Sequence, residues 1–266
     1  QAEKKSLPKT VIKLTDEIYQ KGEKEKNSPQ MLKAYAWRMK YREVLNPDSL
    51  YAGLKGLEQW VKQTDQPMDR AILHSLIAGI YANYAANNQW QLRQRTEIVG
   101  QTPSADIREW TANMFVEKVR TNVKEALADS VLLLKTSSRD YIPFVELGKT
   151  SEYYHHDLYH LLASRAIDAL LQVEKLGGGC TETNAVNPVK QDIIAIYGNM
   201  LSAYKAAGLK EGYVLTALNY LEWRRGAERY IRPLQVKGEA SVLTDDTYLK
   251  ALNTLKSKYA SEPICA

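Results

Sequence analysis

Residues 68–90, MDRAILHSLIAGIYANYAANNQW, decide the fold class. Ile72, Leu76, Ile80 and Tyr84 follow one another at four-residue steps, with Leu73, Ile77 and Tyr81 running beside them. That is the repeat of an α-helix, in which residues three and four apart share a face. The apolar stripe is wide, so this helix is expected to pack on two sides. Ala78, Ala82 and Ala85 are small enough to let neighbouring helices approach closely. The opposite pattern, β-branched residues alternating with polar ones, seldom persists along the chain. The class is therefore all-α.

The same spacing extends outward on both sides. A first helix is expected over 7–19, ending in the polar segment 22–27 with its charged run Lys21–Lys26. Ser28-Pro29 reads as an N-cap with proline at the first helical position, opening a helix through Met31, Ala34, Tyr35, Met39 and Val44 that Asn46-Pro47 stops. A helix from Asp48 or Ser49 carries Leu50, Leu54, Leu57 and Val61 to about Gln63. Ser104 as N-cap predicts one helix over 105–135; about thirty residues is long for a globular helix and invites a bend. Pro143 and residues 148–153 form a loop, and the next helix spans 156–176. Gly177-Gly178-Gly179 ends it. Helices over 188–207, closed by Gly208, over 209–225, and over 245–259, capped by Thr244, follow. Pro263-Ile264-Cys265-Ala266 reads as the opening of another helix, so the chain is expected to end in mid-architecture.

Helices of this length joined by short turns describe a stack of antiparallel hairpins, a TPR-like α–α superhelix. No clean period of about 34 residues emerges, so the stack is expected to be irregular. Its expected organisation is a hairpin stack over 1–176, a Gly-rich loop over 177–187, and a continuation of the stack over 188–266 that is truncated at its end.

Composition narrows the function classes. With 44% hydrophobic and 25% charged residues the chain can bury an ordinary core. Its rings are mostly Tyr (17) and Trp (5), with only two Phe, a set suited to thin cores and half-exposed grooves. The net charge of +5 comes from scattered residues and not from a basic stripe, which argues against a nucleic-acid partner. No run of about 18 apolar residues occurs, so no transmembrane segment is expected. Cys180 and Cys265 have no neighbouring cysteine at metal spacing, and a disulfide between them is left open. The start, Gln1-Ala2-Glu3-Lys4-Lys5, reads like a mature end left after signal removal, or equally a trimmed one.

Few clusters suggest chemistry. In Tyr153-Tyr154-His155-His156-Asp157-Leu158-Tyr159-His160, His156 and His160 stand one helical turn apart, a spacing that can share a metal ion. The glutamate that a metalloprotease places after its first histidine is missing, and the plainer reading is a polar helix start. His74 lies in the apolar helix, where a hydrogen-bonded imidazole is the plain reading. Gly177–Gly179 lacks the Lys-Ser/Thr of a phosphate loop and a preceding strand. Arg93, Arg95 and Glu97 follow Trp90 as either a buried brace or a solvated loop. Trp223, Arg224, Arg225, Arg229 and Arg232 form the densest basic patch, a candidate interaction surface set against a solvated helix face. No paired carboxylates, Ser-His-Asp order or nucleotide fingerprint appears, so no catalytic residue and no cofactor is assigned, and an enzyme is not expected.

Ala105-Asp106-Ile107-Arg108-Glu109-Trp110, Leu132 to Lys135, Tyr141-Ile142-Pro143, and the run from Asp157 to Ile167 together carry a resemblance. The chain resembles, over about residues 30–260, the N-terminal helical region of bacterial alpha-2-macroglobulin-like large extracellular proteins. The resemblance implies a non-catalytic scaffold or protein-interaction module, exported to the periplasm or outer-membrane surface and followed by β-sandwich domains. It implies a protease-trapping or envelope-defence role for the whole molecule, with tethering through a removed N-terminal signal left open. Thioester-bearing members use Cys-x-Glu-Gln; here Cys180-Thr181-Glu182-Thr183 lacks the Gln, so no thioester is assigned. The competing expectation, from the aromatic content, is a stand-alone surface protein that binds carbohydrate or peptide. Stack ends that nothing caps would expose apolar surface and associate weakly.

Overall fold

A computed structural model of the chain describes residues 7–96, 104–148, 151, 154, 156–176, 187–229 and 245–262. Among them the elements are helices: α1 Pro8–Lys24, α2 Ser28–Leu45, α3 Ser49–Gln63, α4 Pro67–Asn87, α5 Gln89–Arg93, α6 Ala112–Ala126, α7 Ser130–Lys135, α8 Leu158–Glu174, α9 Pro188–Ala207, α10 Lys210–Arg229 and α11 Asp245–Tyr259. Two 3₁₀ turns, Ile107–Glu109 and Ser138–Tyr141, complete them, and the extended contact among the described residues is an isolated bridge between Ser137 and Asp157. The protein is all-helical. Its chain divides into two compact units, one made of Gln1–Gly148 and His156–Gly179, the other of Lys149–His155 and Cys180–Ala266.

In the first unit each of α1 to α4 packs on the next, and α4 also packs on α6 and α8. The wide stripe of α4 explains its central place. Ile72, Leu73, Ile77, Tyr81, Ala82 and Ala85 are all buried, and they point to more than one side of the helix. Each large apolar side chain so buried contributes about 1.5–3 kcal/mol. Close approach also governs the crossing of α2 with α3. A Cβ on Gly53 would lie 2.7 Å from Met39 Cε, and one on Gly56 would overlap the Tyr35 hydroxyl, which itself donates to Gly53 O at 2.9 Å.

Several helix ends differ from the sequence expectation, each for a local reason. α1 continues to Lys24, so the charged run supplies its last turn; Lys21 and Lys24 there complement the helix dipole. The cap of α2 is Asn27, whose Oδ1 accepts from Gln30 N at 3.1 Å, leaving the Ser28 hydroxyl for a tertiary bond. The helix expected over 68–90 ends at Asn87, and α5 follows as a separate turn. The Asn88 side chain and backbone N–H both bond Tyr84 O, closing the longer helix.

The single helix expected over 105–135 is instead a 3₁₀ turn and two helices. Asp106 accepts from Arg108 N, and the Trp110 indole N–H bonds Ser104 O at 2.7 Å, holding an extended residue where a helix was expected. Asp129 then opens α7 by accepting from Leu132 N at 3.0 Å. Aspartate side chains that bond nearby backbone compete with helix continuation. Likewise α8 starts at Leu158 and not at residue 156, because Asp157 is its cap and the backbone on either side bridges to 136–138.

In the second unit α9 packs on α10, and α10 on α11. α9 buries Val189, Ile193, Ile196, Met200 and Tyr204, and ends as expected at Gly208, whose φ of 70° suits a left-handed cap. The Gly-rich stretch 177–179, both cysteines and Thr244 lie outside the described residues.

Candidate functional site

Asp157, between the two histidines, is the N-cap of α8. His160 is buried in the first turn of α8; its Nδ1 lies 2.8 Å from Asp157 Oδ2 and its backbone N–H donates to Oδ1 at 2.8 Å. His156 precedes the helix, so the one-turn spacing behind the shared-ion reading is not formed. Among the described residues no group of three or more His, Cys, Asp or Glu is placed to hold a metal ion. His155 lies outside the described residues.

The other polar residues singled out in the sequence join elements within a unit. His74 Nδ1 meets Asn122 Oδ1 at 2.8 Å, tying α4 to α6. Arg93 donates to Lys175 O at 3.1 Å, beyond the C-terminus of α8, and Arg95 donates to Trp110 O at 2.5 Å. Arg93 is exposed, as the solvated reading expects, while the half-buried Arg95 braces the chain through a carbonyl acceptor and not through an ion pair. Glu97 lies outside the described residues.

The basic patch of α10 is drawn into the second unit. Trp223 stacks on Tyr197 and Tyr220 with ring centres 6.2 and 6.1 Å apart, and Arg224 lies over Tyr220. Arg225 pairs with Asp245 at 3.1 Å and covers the Tyr248 ring at 4.6 Å, bracing α10 against α11. Arg232 and the side chain of Arg229 lie outside the described residues.

Sequence reasoning missed a cleft of about 760 Å³ in the first unit, bordered by α1, α2, α3, α4 and the turn after α7. It is organised by Asp69, which is only 4% exposed. Oδ2 accepts from the Ser28 hydroxyl at 2.5 Å and Oδ1 from the Tyr141 hydroxyl at 2.8 Å, so one carboxylate joins α2, α4 and the 3₁₀ turn. Burial first, then the Asp69 charge and hydrogen bond, push the Tyr141 phenol well above its ordinary range. No other signal marks Asp69 in the sequence, where it reads as an ordinary acid in the first turn of a helix.

Trp60 forms one wall of the cleft. It is held from behind: Tyr19 and Tyr35 lie 5.8 and 5.6 Å from it, centre to centre. Arg38 covers both tyrosines at 4.9 and 4.7 Å and pairs with Asp16 at 2.9 Å. A side chain so packed is fixed before any ligand arrives.

A smaller cleft of about 320 Å³ lies between residues 43–51 of the α2–α3 region and residues 80–88 at the C-terminal end of α4. Tyr51 on its wall is pushed up to about 12, by burial and then by Tyr84 beside it. Comparisons of the chain with family models, with curated proteins and with solved structures find no match.

Proposed function

We propose that this chain is a non-catalytic helical scaffold and protein-interaction module of a longer, exported, alpha-2-macroglobulin-like polypeptide. The observation that carries the reading is how its conspicuous polar residues are used. Asp69, His74, Arg93, Arg95, Asp157, His160 and Arg225 each bond another element or cap a helix within their unit. Side chains committed in this way serve rigidity, and a rigid surface binds partners with less ordering cost.

The packing of α1 through α4, each on the next, supports a TPR-like hairpin stack, the architecture used by helical modules that present surfaces to other proteins. No helix among the described residues is long and apolar enough to cross a membrane. The resemblance carried by Ala105–Trp110 and the α8 sequence adds the exported setting and the downstream domains to the proposal. The cleft beside Trp60 favours a second reading, a stand-alone surface protein binding carbohydrate or peptide.

Reading the coding frame on both sides of the chain decides between the two. A signal sequence upstream and several β-rich domains downstream are expected for the scaffold. A frame that closes just beyond Ala266 would overturn it and favour the stand-alone binder.

A further inference from the structure

We propose that the cleft beside Trp60 binds a guanidinium- or ammonium-bearing segment of a partner protein. The proposal rests on reading the chain as a protein-interaction module and names the chemistry of what it binds.

Charge is the first reason. The chain carries a net +5, yet four carboxylates line this cleft, those of Glu23, Asp65, Asp69 and Asp140, against the single ammonium of Lys26. Among the described residues none of the four forms an ion pair. Asp69 is the telling member, since it is almost wholly buried and its two donors, the hydroxyls of Ser28 and Tyr141, are neutral. A carboxylate withdrawn from water without a counter-charge is costly, and a cation seated in the cleft offsets that cost. Carboxylates of one sign grouped around a concave site also raise the local concentration of such a cation.

The second reason is the fixed aromatic wall. Trp60 is packed from behind by Tyr19 and Tyr35, and its indole N–H bonds no protein acceptor among the described residues. Guanidinium and ammonium groups are attracted to indole faces. An inorganic cation fits the site less well, because no three of these carboxylates converge as metal ligands. The volume of about 760 Å³ falls within the range of ligand sites and holds a short extended segment.

The test is calorimetric titration of the whole chain with N-acetylated, C-amidated tetra-arginine at low salt. Tetra-citrulline serves as the neutral isostere and cellopentaose as the neutral sugar. Tetra-arginine is expected to bind, and tetra-citrulline and the sugar to bind at least tenfold more weakly. The paired variant Asp65→Asn/Asp140→Asn, at two exposed positions, is expected to weaken tetra-arginine roughly five- to tenfold, and Trp60→Leu roughly fivefold. Asp245→Asn/Asp246→Asn, in the second unit, should leave the affinity unchanged. No binding of tetra-arginine, equal binding of either neutral ligand, or equal loss in the Asp245/Asp246 control would overturn the proposal. Should Trp60→Leu fail to fold, the Asp65/Asp140 variant alone still decides. Failure here leaves the scaffold reading intact, because that reading is decided by the coding frame and not by this cleft.

Discussion

Tyr141→Phe tests whether one buried carboxylate ties three elements of the first unit together. The substitution keeps the ring and removes one oxygen, the donor to Asp69 Oδ1 at 2.8 Å. A hydrogen bond to a charged acceptor is worth about 1.5–3 kcal/mol, and little water reaches this site to replace the lost donor. With Asp69 only 4% exposed, the expected loss is about 2 kcal/mol. For a unit of this size that lowers Tm by roughly 4–8 °C. Thermal and urea unfolding followed by circular dichroism would measure it. A double-mutant cycle with Asp69→Ala isolates the bond from any general effect of either change, with an expected coupling of about 1–2 kcal/mol. A Tyr141→Phe protein within about 0.5 kcal/mol of the parent, or a coupling near zero, would show that this bond does not hold the three elements together.

Alkaline stability follows from the buried phenols. Burial and neighbouring carboxylates raise Tyr81 and Tyr141 well above the ordinary tyrosine value of 10.0. Above pH 10 the unfolded chain releases these protons while the folded chain keeps them. The pair's contribution is therefore intact well below pH 10 and is lost as pH rises, by about 2 kcal/mol between pH 10 and pH 11; a urea midpoint unchanged over that interval would contradict this. Gly56→Ala places a methyl against the Tyr35 hydroxyl and is expected to cost about 1–3 kcal/mol, much of it recovered in a Tyr35→Phe background; equal cost in both backgrounds would refute the contact. Lys26 ends the α1–α2 turn at φ 54°, a left-handed conformation that asparagine adopts more readily, so Lys26→Asn is expected to stabilise by about 0.5 kcal/mol, and a destabilised variant would contradict that account.

How much of this was legible depended on the range of the interactions. Periodicity within a single helix marked α4 and its central burial, and Pro188 with Gly208 marked both ends of α9, because those signals are local. The length of the 105–135 segment calls for a bend, but the breaks around Trp110 and at residues 127–129 have no local mark, since apolar spacing continues through them. There the outcome turned on the Asp129 cap and on an indole bonded to Ser104 O. His156 and His160 were read as sharing a helical face because the cap at Asp157 competes with a helix start two residues earlier. The cleft was invisible for a different reason. Ser28 and Tyr141 are 41 and 72 residues from Asp69, and nothing in a single sequence pairs positions so far apart.

The size and compartment of the native polypeptide test whether this helical chain is one module of a longer exported protein. Fractionating the source cells and blotting with an antibody raised against the chain measures both at once. A polypeptide several times the 266-residue length, recovered outside the cytoplasm, is the predicted result. A band near 30.2 kDa, or a long polypeptide confined to the cytoplasm, would contradict it.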